Sequence, residues 1–501
     1  MSRTLVRIAA PLAALALIGA GCSSSDKPSS TPGSTSPPGT TGGSPKDLVV
    51  DRSGRFAKAD TFCEPATEKE TETPQATDDG ITADSVSVTQ IRVTLEDLAG
   101  IGFAIPIGDP ADQARRFVDI INNRCGGIHG RKLDLHIVEA PPLAGEGQDP
   151  AALAQSACIK ATEDNKSVFA YSGTGWGGQG GASCVTSAHD SIYITTYTIS
   201  PDDLANADNR LYSTALSPAD GLKYAAKVLN AEGAFKGKKI GVVMADSPGD
   251  PEIVQAGLLD TLKDLGIKPT RVDAIGCQGG NSCTQGIIES ARGMIADGVN
   301  VMFPLLNVIS LPGYLSELST QGAKPGQIQF YNTDYNAQSG DLVSSKVVKF
   351  GGAKDGALYN NAVIISSGQT GAFRLPNFKP GEFGEMCNRE YQAAGGAKYT
   401  ADDPATNSAY GATSGTCAFI RIIARALDNA GPNPTRADLA SAVENLGALD
   451  GAGVPPSFEP GKYTAPNSLY KLRWHYPCAP KNLPYDGICI LPEGDAFPFP
   501  S

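Results

Sequence analysis

Histidine, tryptophan and basic charge are all in short supply. The four histidines (His129, His136, His189, His475) show no metal-ligand spacing, and no C-x-x-C pair occurs, so no metal site is assigned. Lys and Arg number 41 against 53 Asp and Glu. A phosphate backbone demands clustered cations, so nucleic acid is excluded as a partner. There is no H-E-x-x-H, no P-loop and no G-x-S-x-G elbow; Gly181-Ala182-Ser183-Cys184 breaks the last. Adjacent carboxylates, Asp202-Asp203 and Asp402-Asp403, lack a spacing suited to acid–base work and read as solvated. No catalytic residue and no cofactor is assigned, and the chain does not read as an enzyme.

What is present begins at the N-terminus. Arg3 and Arg7 precede an apolar run, 8–20, that is too short to span a bilayer. Gly19-Ala20-Gly21 then leads into Cys22, which is secretory signal architecture. The segment resembles a bacterial lipoprotein signal, apart from Gly19, where that signal favours an aliphatic residue. The resemblance implies a signal peptide over 1–22, a lipid on Cys22, and an exported chain held on the outer face of the cell membrane. Residues 23–45 are rich in Ser, Thr, Gly and Pro, a tether that cannot bury a core. Through residue 78 the chain reads as a solvated, acidic lead-in, with Cys63 as its candidate pin. Without Cys22 ten cysteines remain, an even number that suggests up to five disulfides in an exported protein. Spacing does not fix their connectivity. Short loops favour Cys277 with Cys283 and Cys478 with Cys489, then Cys158 with Cys184 and Cys387 with Cys417, which leaves Cys63 with Cys125.

Residues 85–93 alternate Val and Ile with polar residues, a strand pattern. Residues 111–123 carry Ala114, Phe117, Val118 and Ile121 at helical spacing, and 133–138 read as a second strand. This unit implies a parallel sheet with a right-handed crossover. Strands are read again near 168–171, 192–197, 239–244, 299–306 and 328–331, and a long helix over 407–431. The runs GITADSVSVTQI and INNRCGGIHGRKLDLHIV resemble the opening of the type I periplasmic solute-binding proteins of ABC importers. More narrowly they are similar to the branched-chain amino acid (Leu/Ile/Val) binding group, here in a lipoprotein form. The resemblance covers about 79–475. It implies an α/β fold of two doubly wound, Rossmann-like lobes joined by a three-segment hinge, a clamshell. Lobe one is expected at 79–215 plus 356–450, and lobe two at 216–355 plus 451–501. The implied partners are a small-molecule solute, a membrane permease of the ABC type, and the membrane through the lipid anchor. A sensory receptor built on the same clamshell is the alternative, with an exported enzyme on a Rossmann-like sheet ranked behind it.

The solute is expected outside the carboxyl ends of the strands. VFAYSGTGWGGQGG, at 168–181, is a strand opening into a glycine-rich loop, whose backbone N–H groups suit a ligand acceptor group. Its Gly173, Gly175 and Gly178 also satisfy G-x-G-x-x-G, but no acidic residue ends the next strand, which sets a dinucleotide aside. The expected ligand residues are Ile107, Thr174, Gly175, Trp176, Gly177, Gly178, Thr196, Thr198, Ser200, Asp250 and Asn307. Trp176 is expected to supply apolar contact area. Relatives carry an aromatic near Asp250, and an acidic residue after the strand ending at Leu306; this chain has neither. A neutral or anionic, partly apolar solute is therefore expected, unless Asp250 meets an ammonium group.

Overall fold

Val86, Val88 and Ile91 make the first strand, β1 (Ser85–Val93), apolar enough to need cover on both faces, and it is buried from Val86 to Ile91. A computed structural model describes residues 54–65, 72–101, 106–142, 148–196, 199–247, 249–277, 283–307, 309–451, 454–478 and 487–500. The signal peptide, Cys22, most of the tether and lead-in, and Thr198 lie outside the described residues. β1 pairs in parallel with β2 (Lys132–Ala140) and β3 (Phe169–Ser172). β4 (Ile192–Thr195) and β5 (Leu211–Ser213) complete a five-stranded parallel sheet in the order β2-β1-β3-β4-β5. Asp109 caps the helix Pro110–Asp119 that leads from β1 towards β2, accepting from the Ala111 and Asp112 N–H groups.

The second sheet starts with five parallel strands: β6 (Ile240–Ala245), β7 (Arg271–Ile275), β8 (Val301–Leu305), β9 (Gln329–Thr333) and β10 (Val363–Ser366). A short hairpin, β11 (Gly447–Ala448) with β12 (Ser457–Phe458), stands apart from both sheets. β13 (Ser468–His475), β14 (Cys489–Pro492) and β15 (Phe497–Pro498) then extend the second sheet in antiparallel fashion. Its order is β14-β13-β10-β9-β8-β6-β7, with β15 on β13. The molecule is thus a two-lobed α/β structure with a parallel sheet at the centre of each lobe.

Sheet membership moves the expected lobe boundaries. β10 falls in the span assigned to lobe one, yet it lies between β9 and β13 in the second sheet. The chain stays with that sheet through Arg374, which is ion-paired with Asp341 and donates to the Ile490 carbonyl at 3.3 Å. It then joins lobe one, where the helices Glu382–Ala393, Asn407–Ala430 and Arg436–Glu444 share a core with the helix Pro110–Asp119. Phe458 and Ala465, assigned to lobe two, are buried in that same core. An apolar strand announces burial but not its neighbours, so the pattern could not place these segments. The first and third crossings run side by side: the Ser213 N–H donates to the Tyr463 carbonyl, and the Ala465 N–H to the Ser213 carbonyl, both at 2.8 Å.

The lead-in is not solvated throughout. Phe56 and Phe62 are wholly buried in the lobe-one core, and Phe62 stacks on Phe117 with centroids 5.6 Å apart. Arg421, itself buried, donates to the carbonyls of Phe56, Lys58 and Thr61, and Arg55 donates to those of Cys125 and Gly127. Buried carbonyls require donors, and guanidinium groups supply several from one side chain. The Cys63–Cys125 disulfide closes this strap. The other four bonds are Cys158–Cys184, Cys277–Cys283, Cys387–Cys417 and Cys478–Cys489, the pairs that loop length favoured.

Candidate functional site

The carboxyl ends of the parallel strands collect most of the expected ligand residues. In lobe one the glycine-rich loop leaves β3 and is tied back to β1, because the Val93 N–H donates to Thr174 Oγ1 at 2.8 Å. Gly175 has φ +82° and open space where a Cβ would stand, so backbone conformation alone calls for glycine there. Gly181 answers to packing instead: a Cβ would come 2.8 Å from the Trp176 ring.

That ring is where expectation and structure part. Trp176 is only 7% exposed and meets Tyr193 edge-on at 5.6 Å, within a cluster that includes Ala182, Cys158 and Cys184. Its N–H donates to Ser172 Oγ at 3.2 Å, and its carbonyl accepts from the hydroxyls of Tyr193 and Thr195. The ring is therefore a core element of lobe one, correcting its expected role as a solute contact. The glycines around it let the loop fold over a large buried indole.

The other lobe-one positions divide. Ile107 is half-buried, and its carbonyl accepts from Gln113 Nε2 at 3.0 Å. The adjoining Gly108, at φ +74°, lies so close to Tyr399 that a Cβ would come 2.6 Å from the phenol oxygen. Thr196 is half-buried at the end of β4, its N–H on the Ser172 carbonyl at 3.0 Å. Ser200 caps the helix Pro201–Ala205 in a capping box with Asp203, which engages its side chain locally.

In lobe two, Asn307 follows β8, and its Oδ1 accepts from the N–H groups of Ile309 and Ser310 at 3.1 and 3.0 Å, turning the chain into the helix Ser310–Thr320. Asp250 follows β6 and is half-buried; Tyr335, just past β9, donates its phenol to Oδ1. Burial pushes this carboxyl up, the Tyr335 hydrogen bond opposes that, and the charge of Glu252 adds to the rise. Two other acids directly follow strands of the same sheet and were not singled out from the sequence. Asp246 accepts from the Cys277 N–H at 2.7 Å, and Asp334 accepts from the Ser366 and Ser367 hydroxyls and the Ser367 N–H at 2.5–2.8 Å. Their position directly after apolar strands was the available signal. Among the described residues, the one grouping of metal donors is Cys158, Cys184 and His189, and the disulfide consumes both sulfurs.

Two parallel sheets joined by three crossings are an arrangement with known counterparts. A solute-binding protein of an ABC transporter from R. palustris, in complex with 4-hydroxybenzoate, superposes with TM-score 0.56 at 14% identity, over 83% of this chain and 98% of that one. The fold is that of the type I periplasmic binding proteins. A fatty acid ABC transporter substrate-binding protein from Thermomonospora curvata matches with TM-score 0.54 at 16% identity, over 85% of this chain and 95% of the other. A branched-chain amino acid ABC transporter protein from Thermus thermophilus with bound valine matches with TM-score 0.53 at 13% identity, over 83% and 97%. No family model and no curated protein matches the chain.

Proposed function

We propose that this chain is an extracytoplasmic, lipid-anchored receptor that captures a small organic solute between its lobes and presents it to an ABC permease. The observation that carries the reading is the pair of parallel sheets linked by three crossings, two of them hydrogen-bonded to each other at Ser213 and Ala465. Rigid lobes on so few strands can hinge. A solute that touches both lobes favours the closed form by its differential affinity for the two states, and a permease can read that closure. No chemistry on the solute is needed, and the neighbours in fold are solute-binding proteins rather than enzymes.

The lobe-one wall is proposed to come from Ile107, Thr174, Gly175, Gly177, Gly178 and Thr196, and the lobe-two wall from Asp250 and Asn307. Within the fold, the run from Ile121 to Val138 is the reason to place the chain beside the branched-chain amino acid group. The lipid anchor rests on Cys22 and its flanking residues. A thermal-shift screen of small metabolites tests the receptor reading. A true solute at 100 times its Kd adds about 2.7 kcal/mol, a clear rise in midpoint. A screen in which no metabolite raises the midpoint would count against it.

A further inference from the structure

Ten parallel strands leave the two sheets at their carboxyl ends. The segments that follow them are 94–109, 141–149, 173–180, 196–199 and 214–217 in lobe one, and 246–249, 276–286, 306–309, 334–340 and 367–371 in lobe two. No Lys or Arg stands in any of these spans, in a chain that has 41; just beyond the last of them come Arg374, buried and ion-paired with Asp341, and Lys379. Basic residues stand at the entry of six of the ten strands instead: Arg131 before β2, Lys166 before β3, Arg210 before β5, Lys239 before β6, Lys268 before β7 and Lys324 before β9. Charge is thus sorted along the strand direction in both lobes. Among the described residues, Arg92 at the end of β1 is ion-paired with Glu96 and Glu139, and Arg374 beyond β10 with Asp341, so an anionic solute at the exits would meet mainly backbone N–H groups and hydroxyls.

The acids at the exits are mostly engaged. Asp109 and Asp149 cap helices, and Asp246 and Asp334 accept from neighbouring N–H and hydroxyl groups. Asp250 differs. It is half-buried, its hydrogen-bond donor is a neutral phenol, and the charged group acting on it is another acid, Glu252. A carboxylate drawn out of water either finds a counter-charge or is driven towards its neutral form.

We propose that the solute is an organic cation, a protonated amine or guanidine without a carboxylate, whose N–H groups are met by Asp250. This rests on the receptor reading above and reverses the expectation of a neutral or anionic solute. That expectation weighed the missing acid after Leu306 and not the scarcity of unpaired basic residues at the exits. Asp250 does not contribute to the lobe-one wall, which is left to accept hydrogen bonds or pack against the solute's apolar part.

The test uses the full chain and one carbon skeleton in three charge types: hexylamine, hexanoate and norleucine. Agmatine, putrescine and benzylamine broaden the cationic arm, and benzoate and 4-hydroxybenzoate the anionic one. Thermal shift and calorimetry read binding. Amines or agmatine should bind at least tenfold more tightly than the matched carboxylate and zwitterion, and should weaken as salt is added. Asp250→Asn should lose at least tenfold in that affinity, and Asp250→Glu, which keeps the charge, should retain part of it. Tighter binding of hexanoate, benzoate or norleucine would overturn the cation assignment while leaving the receptor reading intact. So would undiminished amine affinity in Asp250→Asn. If no probe of any charge type bound at millimolar concentration, the receptor reading would fail and the cation assignment with it.

Discussion

At the end of β3 the polar and aromatic groups of lobe one are spent on the lobe itself, whereas past the end of β6 lobe two holds a half-buried carboxylate that accepts from a phenol. Thr174 ties the glycine loop to β1, Ser172 and Tyr193 bind the Trp176 backbone, and Ser200 caps a helix. The loop that looks most like a binding element in sequence is therefore built first for its own stability. What it can offer a solute is backbone and shape, while lobe two offers charge at Asp250. One lobe fixes a surface and the other supplies the group that discriminates.

Two substitutions test that contrast. Trp176→Ala should produce the larger effect, because it empties a packed site: a loss of about 3–5 kcal/mol in the stability of lobe one, measured by denaturant unfolding. Solute affinity, measured well below the midpoint, should change little. Loss of affinity with unchanged stability would restore the indole to the solute wall. Asp250→Asn should act in the opposite sense on the unliganded protein. A carboxyl whose folded pKa is raised stabilises the fold only while protonated, so its contribution is lost as pH rises from the ordinary carboxylate range through the raised value. The variant should therefore melt about 1–2 °C higher at pH 7, with the gap closing as pH falls through the raised value and gone below about 4. A lower midpoint at pH 7 would mean that the charge is well paired already.

Local order was legible in the sequence, and long-range partnership was not. The β1–helix–β2 unit follows from the spacing of Val86, Val88, Ile91, Phe117 and Ile121, because strand and helix periods act over a few residues. The long helix, read at 407–431, spans Asn407–Ala430. The strap was missed because Phe56 and Phe62 sit among polar residues, and their carbonyl donor Arg421 lies some 360 positions away in the chain. The sheet assignment of β10 failed for the same reason, since Val363, Ile364 and Ile365 specify burial but not which strands lie beside them. Trp176 was misjudged because a glycine-rich loop looks too sparse to bury an indole. The clash that a Cβ at Gly181 would make with the ring becomes visible only in three dimensions.

Closure of one lobe on the other is the claim on which the receptor reading stands, and an interlobe distance tests it most directly. Paired spin labels or dyes at exposed sites, such as Asp134 in lobe one and Ile288 in lobe two, would report it in the full chain. On addition of a solute found by thermal shift, the distance distribution should move as a whole to a second, narrower population, and Asp250→Asn should prevent the shift for an amine. A saturating solute that leaves the distribution unchanged would contradict the account.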